Sequence, residues 1–376
     1  MELRRRAAVV LAGVGISLLT ACAGQQPPAA APPEPDPAST TPSTTAVPAR
    51  PGAAAPARTS AVVSTGLQAP WSVVFRDDGT PLVSERDSGR VLELAEDGSS
   101  RAIGTVDGVV ASGEGGLLGL ALDDRDRLYA YSTAADGNRV QRFTVSGGAG
   151  SLALGQPETI LEGLPSAGYH NGGRIAFGPD DLLYVTAGDA GQPDRAQDLD
   201  SLGGKILRMT ADGDVPADNP FPGSLVYSSG HRNPQGLTWA DDGTMFASEF
   251  GQNTWDELNV ITPGANYGWP TVEGIGDDQD FTDPVQQWEP SAASPSGITY
   301  LDGTIFIANL RGQVLRAVPV ADPTTSTEHH LREHGRLRDV TAAPDGQLWL
   351  VTSNTDGRGT AGPDDDRILS VSLERG

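Results

Sequence analysis

One unit recurs six times in this chain and restricts the fold more than any other feature: an apolar pair, a turn built on Asp-Gly or Asp-Asp, then an alternating strand. The copies are WSVVFRDDGTPLVSE, LGLALDDRDRLYAYS, GRIAFGPDDLLYVTAG, GLTWADDGTMFASEF, SGITYLDGTIFIANL and VTAAPDGQLWLVTSN, with turn aspartates near Asp78, Asp124, Asp180, Asp242, Asp302 and Asp345. Their mean spacing of about fifty residues is the period of a propeller blade made of four short strands. Asp and Gly accept the positive φ of tight turns, and the flanking β-branched and aromatic residues alternate as half-buried strands do. A second strand follows most copies, as in GRVLEL, NRVQRFTV, GKILRM, GQVLRAV and DRILSVSL. The reading is an all-β fold, a six-bladed β-propeller over residues 60–376. Five or seven blades are also compatible with boundaries drawn from one sequence.

The N-terminus has a different composition. Arg4, Arg5 and Arg6 precede an apolar run from Ala7 to Leu19, which ends in Leu19-Thr20-Ala21-Cys22. A positive segment, a short apolar segment and small residues before cysteine read as a lipoprotein signal over residues 1–21, with Cys22 lipidated. The other reading is a plain secretory signal that leaves Cys22 as an unpaired thiol. The apolar run is shorter than the roughly 20 residues a membrane span needs. Residues 22–59 are rich in Pro, Ala, Ser and Thr and read as a disordered tether, so the folded domain begins near Ser60. The expected location is the extracytoplasmic face of the cell membrane, held by the lipid anchor.

Cys22 is the only cysteine, so no disulfide forms within the chain and stability rests on burial. The net charge of -23 argues against nucleic acid and anionic surfaces as partners and reads as a solvated acidic surface. Lys205 is the sole lysine, so any lysine-dependent chemistry would rest on it.

Four stretches interrupt the blade pattern: Gly113 to Gly119 with Glu114; Tyr169-His170-Asn171-Gly172-Gly173; Gly230 to Gly236 with Arg232 and Asn233; and Gly335 to Val340 with Arg336 and Arg338. The third is followed by Glu249-Phe250-Gly251-Gln252, Asp256-Glu257-Leu258-Asn259 and Asn266-Tyr267-Gly268-Trp269-Pro270. Neutral imidazole is the natural base for removing a hydroxyl proton at neutral pH, and glycines beside His170 permit close approach of a ligand. A loop histidine taken alone also suits a structural role.

In order along the chain, GEGGLLGLAL, HNGGRIAFGPDDLLYVTAGD, AQDLDSLGGKILRM, DNPF, SSGHRNPQGL, DELNVITPGANYGWP and GRLRDVTAAPDG resemble the glucose/sorbosone dehydrogenase family, the soluble pyrroloquinoline quinone (PQQ) dependent sugar dehydrogenases. The signal, tether and SNTDGRG ending resemble its actinobacterial lipoprotein branch. The resemblance implies a six-bladed propeller that oxidises an aldose substrate to a lactone and passes electrons to a respiratory acceptor. It implies that His170 is the general base, Arg232 and Asn233 hold the quinone oxygens, Arg336 and Arg338 bind cofactor carboxylates, and Glu114 contacts the cofactor. It implies calcium near Gly251 and Gln252, and a second, structural calcium near Glu257 and Tyr267. Gln252, Leu310 and Asn354 depart from the family pattern, the last two replacing a lysine and an acidic residue.

Those departures keep a second reading open: a non-catalytic lipoprotein that binds carbohydrate or a protein partner at the cell envelope. A calcium-dependent lactonase is a third reading, weakened by the lack of enough acidic and amide groups for its metal. Asp364-Asp365-Asp366 reads as a solvated loop. His329, His330 and His334 read as part of a connection between blades, without metal. Trp239, Trp288 and Trp349 read as blade packing, and Trp269 as bordering a pocket.

Overall fold

A computed structural model describes residues 54–375; the signal, Cys22 and the tether up to residue 53 lie outside them. The described chain forms six four-stranded antiparallel sheets, a small additional hairpin and one 3-10 turn, Pro193–Ala196. Blades I to V are continuous in sequence, over residues 70–105, 117–164, 175–229, 234–288 and 295–329. Blade VI takes three strands from the C-terminal end, Leu337–Ala342, Leu348–Thr352 and Ile368–Arg375, and its outermost strand, Ala54–Ser64, from the other end of the described chain.

This closing strand pairs Ala54 with Arg375 and Val62 with Leu369. The tether therefore stops at least six residues short of Ser60, a correction to the boundary read from composition. An outermost strand packs on one face only, so a run such as AAPART suffices there, and an edge position tolerates Pro56. Ala54 and Ala57 are buried against Leu369 and Val371.

Every repeat aspartate falls in the hairpin between the first and second strands of its blade. Asp78, Asp242 and Asp345 each accept an N–H two residues on, at 2.9, 2.9 and 3.0 Å, which fixes the turn. In blade II the accepting residue is Asp123 rather than Asp124, with Arg125 and Arg127 donating at 3.0 and 2.9 Å.

The core is divided among six apolar clusters, each filling the wedge between two neighbouring blades, VI and I included. Six wedges for six blades means a closed ring. Trp239 and Trp349 pack in these wedges against Tyr184 and Phe75, with centroids 5.1 and 4.9 Å apart, and Trp288 lies under Arg316 at 5.0 Å. Lys205 is fully buried, and its ammonium donates to the carbonyls of Arg195, Ala196 and Gly203 at 2.6, 3.0 and 2.9 Å. Burial draws its pKa down to about 8, and its role is to hold the loop after the second strand of blade III.

The acidic loop differs from its reading. Asp366 is fully buried and accepts from Thr352 Oγ1 at 3.1 Å and from the Asn354 and Thr355 amides, while its own amide donates to Leu67 O at 3.1 Å. Asp365 accepts from Arg367 and Asn354. Asp366 braces the junction where the segment carrying Leu67 runs from blade VI to blade I, and Asp365 braces blade VI itself.

Candidate functional site

The segments that enter each inner strand and those that join second to third strands meet at one end of the channel. The Asp189 amide donates to Arg232 O at 2.9 Å, Gly172 N–H to Asn233 Oδ1 at 3.0 Å and Glu114 N–H to Gly168 O at 2.9 Å. Three of the four stretches singled out from the sequence are thus tied together across blades II, III and IV. Side-chain-free backbone is required here: a Cβ on Gly188 would lie 2.1 Å from His170 O, and one on Gly113 would lie 2.0 Å from Gly168 O.

His170 has φ of 57°, a left-handed conformation that costs a non-glycine residue about 1–3 kcal/mol and persists only when its surroundings impose it. They do so from both sides. The His170 amide donates to Glu114 Oε2 at 3.0 Å, and its ring Nδ1 lies 2.7 Å from Asp189 Oδ1. A carboxylate only accepts, so Nδ1 carries the proton and Nε2 keeps its lone pair. No described residue bonds Nε2, and the side chain is 13% exposed.

Asp189 itself is fully buried. Burial pushes its carboxyl up, but the His170 bond and charge, Gly191 N–H at 2.7 Å and Trp269 Nε1–H at 2.9 Å outweigh burial and hold it below the usual carboxylate range. The sequence reading missed Asp189. The only signal was its position, directly after a second strand on the loop end of a blade.

Arg232 lies over the Trp269 ring at 5.4 Å, and its Nη1 donates to the carbonyls of Phe250 (3.1 Å) and Gly251. Burial lowers its pKa, with Asp189, Glu273 and Glu249 opposing. Its Nε, the Asn233 amide nitrogen and the Arg336 Nε are buried without a hydrogen-bond partner among the described residues. Each such donor costs about 1–3 kcal/mol unless a ligand or water accepts from it. The arrangement asks for a ligand rich in acceptor oxygens.

Arg336 donates to Asp356 Oδ2 at 3.1 Å, while Asn354 Oδ1 accepts the Arg336 amide at 2.9 Å. Arg338 is deeper, donating to Gln235 Oε1 at 2.8 Å and Ser296 Oγ at 3.2 Å, and burial brings its guanidinium down to about 9. Asp356 was not foreseen; it sits in a loop whose sequence resembles a solvated turn. Leu310 is buried and apolar, so it offers nothing to a carboxylate.

The Gly251 amide donates to Asp256 Oδ1 at 2.9 Å, and the Gln252 to Trp255 amides converge on Glu273 Oε1. The main-chain oxygens suggested for calcium therefore lie on the same loop that holds Arg232. Glu257 accepts from Gly274 N–H at 2.7 Å and Asn259 Nδ2 at 3.1 Å; burial first, then Glu249, pushes its carboxyl up to about 8. The Tyr267 hydroxyl donates to Val260 O at 2.6 Å and accepts from Thr262 N–H at 2.9 Å, so its oxygen is committed within its own blade.

Fold and site define a class: a six-bladed propeller whose loop end holds a carboxylate-oriented histidine beside a set of buried donors. Residues 67–361 match the family model of the glucose/sorbosone dehydrogenases, and the chain belongs to that family. The PQQ-bound aldose sugar dehydrogenase of Streptomyces coelicolor is 48% identical in sequence, with a TM-score of 0.80 over 85% of this chain and 100% of that one. Quinoprotein glucose dehydrogenase B of Acinetobacter calcoaceticus is 28% identical, over 79% of this chain and 85% of its own length. Aldose sugar dehydrogenase YliI of Escherichia coli is 30% identical, over 81% of this chain and 92% of its own.

Proposed function

We propose that this chain oxidises aldoses at the anomeric carbon to lactones with PQQ as cofactor. The observation that carries the reading is the free Nε2 of His170, oriented by Asp189, beside buried N–H donors that lack partners. Bound there, PQQ would supply the two-electron acceptor for hydride from the anomeric carbon. His170 Nε2 takes the hydroxyl proton, so the substrate loses one hydride and one proton and becomes the lactone. Asp189 stabilises the imidazolium that forms. Arg232 and Asn233 would offer fixed N–H donors to the quinone oxygens, where negative charge would develop. Arg336 and Arg338 would receive the cofactor's carboxylates, Arg336 through the nitrogen left unpartnered.

Calcium would use main-chain oxygens of the Gly251 and Gln252 loop, and a second, structural calcium would lie near Glu257 and Tyr267. A lipid on Cys22 would hold the propeller on the outer side of the cytoplasmic membrane, where a respiratory acceptor could reoxidise the cofactor. Titration calorimetry of the purified chain with PQQ in calcium, followed by dye reduction across a panel of aldoses, tests the reading. Saturable binding with sugar-dependent reduction is expected. No binding at high micromolar PQQ would sink it and favour the non-catalytic propeller that binds carbohydrate or protein.

A further inference from the structure

A second constellation lies outside the site just described, on the connection between the last strand of blade V, Thr327–His329, and the first of blade VI, Leu337–Ala342. One ring nitrogen each from His330 and His334 and one carboxylate oxygen from Glu333 all lie within 4.8 Å of one another. Among the described residues it is the only such group of three. The sequence reading dismissed metal binding here because the segment is a loop, and a loop it is. Two residues in the left-handed region, His330 at φ 52° and Arg332 at φ 58°, wind it tightly enough to bring the three side chains together. The turn is held by Glu333 N–H donating to His330 O at 3.2 Å and by Arg332 N–H donating to Gln313 O at 2.7 Å. His329 is not part of the group; its ring bonds Thr327 Oγ1 at 2.9 Å.

His330 Nδ1 lies 2.9 Å and His334 Nε2 4.0 Å from Glu333 Oε2. Ligands about 2.1 Å from a tetrahedral zinc ion sit about 3.4 Å apart, between those two separations. The histidine side chains are 1% and 13% exposed, whereas Glu333 is 54% exposed and leaves an entry path. In the metal-free chain His330 Nδ1 donates to Glu333 Oε2, and zinc bound there would move that proton to Nε2, which is buried without a hydrogen-bond partner among the described residues. Arg367, the cation facing His334, is paired with Asp365 at 3.0 Å.

We propose that His330, Glu333 and His334 bind a zinc-class divalent ion that clasps the ring where it closes. Two imidazoles with one carboxylate suit zinc or its transition-metal neighbours; calcium prefers an all-oxygen shell. Ser60 Oγ, on the closing strand, lies 3.3 Å from His334 Nε2 and is placed to complete the shell directly or through water. On the other side, Asn354 joins the site to the blade core: its Nδ2 donates to His334 O at 3.0 Å. The ion would tie the blade V to VI connection to the first described strand. It is a structural clasp, and it does not depend on the dehydrogenase reading.

The test uses the full chain, stripped with chelator and returned to saturating calcium without PQQ, then titrated with zinc chloride. One zinc per chain, retained through dialysis at micromolar concentration, and a rise of several degrees in Tm are expected. Glu333→Gln should weaken zinc at least tenfold and His334→Ala at least a hundredfold. Because Glu333 is exposed, the zinc-free Tm of its variant should match wild type, which keeps the test valid if His334→Ala folds poorly. Ser60→Ala should keep the stoichiometry and lose part of the Tm gain. Cobalt(II) on the wild type should show visible bands of a nitrogen and oxygen site that vanish in Glu333→Gln. Wild-type protein that retains no zinc, or variants that bind it unchanged, would overturn the site; an undiminished Tm gain in Ser60→Ala would overturn the clasp.

Discussion

Two histidines near the same end of the propeller carry the same first partner and differ in the second. His170 Nδ1 lies 2.7 Å from Asp189, and His231 Nδ1 lies 2.8 Å from Glu249. Both carboxylates force the Nδ1–H tautomer. His231 is fully buried, its Nε2 is taken by Ser228 Oγ at 2.8 Å, and its ring stacks on Tyr267 at 4.7 Å. His170 spends nothing on Nε2. A histidine and carboxylate pair is therefore not by itself a catalytic signature; between these two, the unpartnered nitrogen marks His170 as the one able to take a proton.

The comparison breaks first at His170. His170→Ala should lower kcat by about 10²–10⁴ while PQQ still binds, the range a positioned general base supplies. Equal losses in cofactor affinity and kcat would make His170 a binding residue only. Asp189→Asn allows the other tautomer and should lower kcat by up to about 10⁴-fold; because both Asp189 oxygens accept N–H bonds, its amide also sets a buried donor against a donor and should lower Tm. At the other histidine the loss moves to stability: His231→Ala strands buried Glu249 and should cost about 3 kcal/mol in denaturant unfolding. Turnover per folded molecule should fall far less than in His170→Ala.

The region around His231 also crowds acids. Glu257 is protonated up to about pH 8 in the folded chain against 4.5 as the ordinary value. Between those pH values the folded state holds a proton the unfolded state has released, so stability of the metal-free chain should fall as pH rises, by at most about 1.4 kcal/mol per unit. Glu257→Gln should flatten that slope, and a slope unchanged in the variant would assign it to another group. The smallest effect belongs to Arg358→Ala. Its pairing with Glu114 at 3.3 Å is half exposed, so stability should move by less than about 1 kcal/mol and His170 should keep its activity.

The six repeats were legible because an Asp turn between alternating strands is a local pattern, and so were the glycine-flanked stretches around His170, Arg232 and Arg336. What stayed hidden depends on distant pairing. Asp189 matters because a histidine nineteen residues earlier and Trp269 from blade IV meet at its carboxylate. Asp366 looks like surface until the turn carrying Leu67 reaches it from blade I. The stretch from Ala54 to Arg58 reads as tether because nothing near it in sequence is its partner.

That last pairing sets a clock. The closing strand's partner begins at Ile368, about 300 residues after Ala54. At a synthesis rate of about 5–20 residues per second, its backbone stays unmatched for about 15–60 s. An exposed strand edge invites pairing with another chain during that interval. Pro56, which has no N–H to offer, and exposed Arg58 and Thr59 make this stretch a poor template for strangers. The plain composition that hid the strand is also what lets it wait.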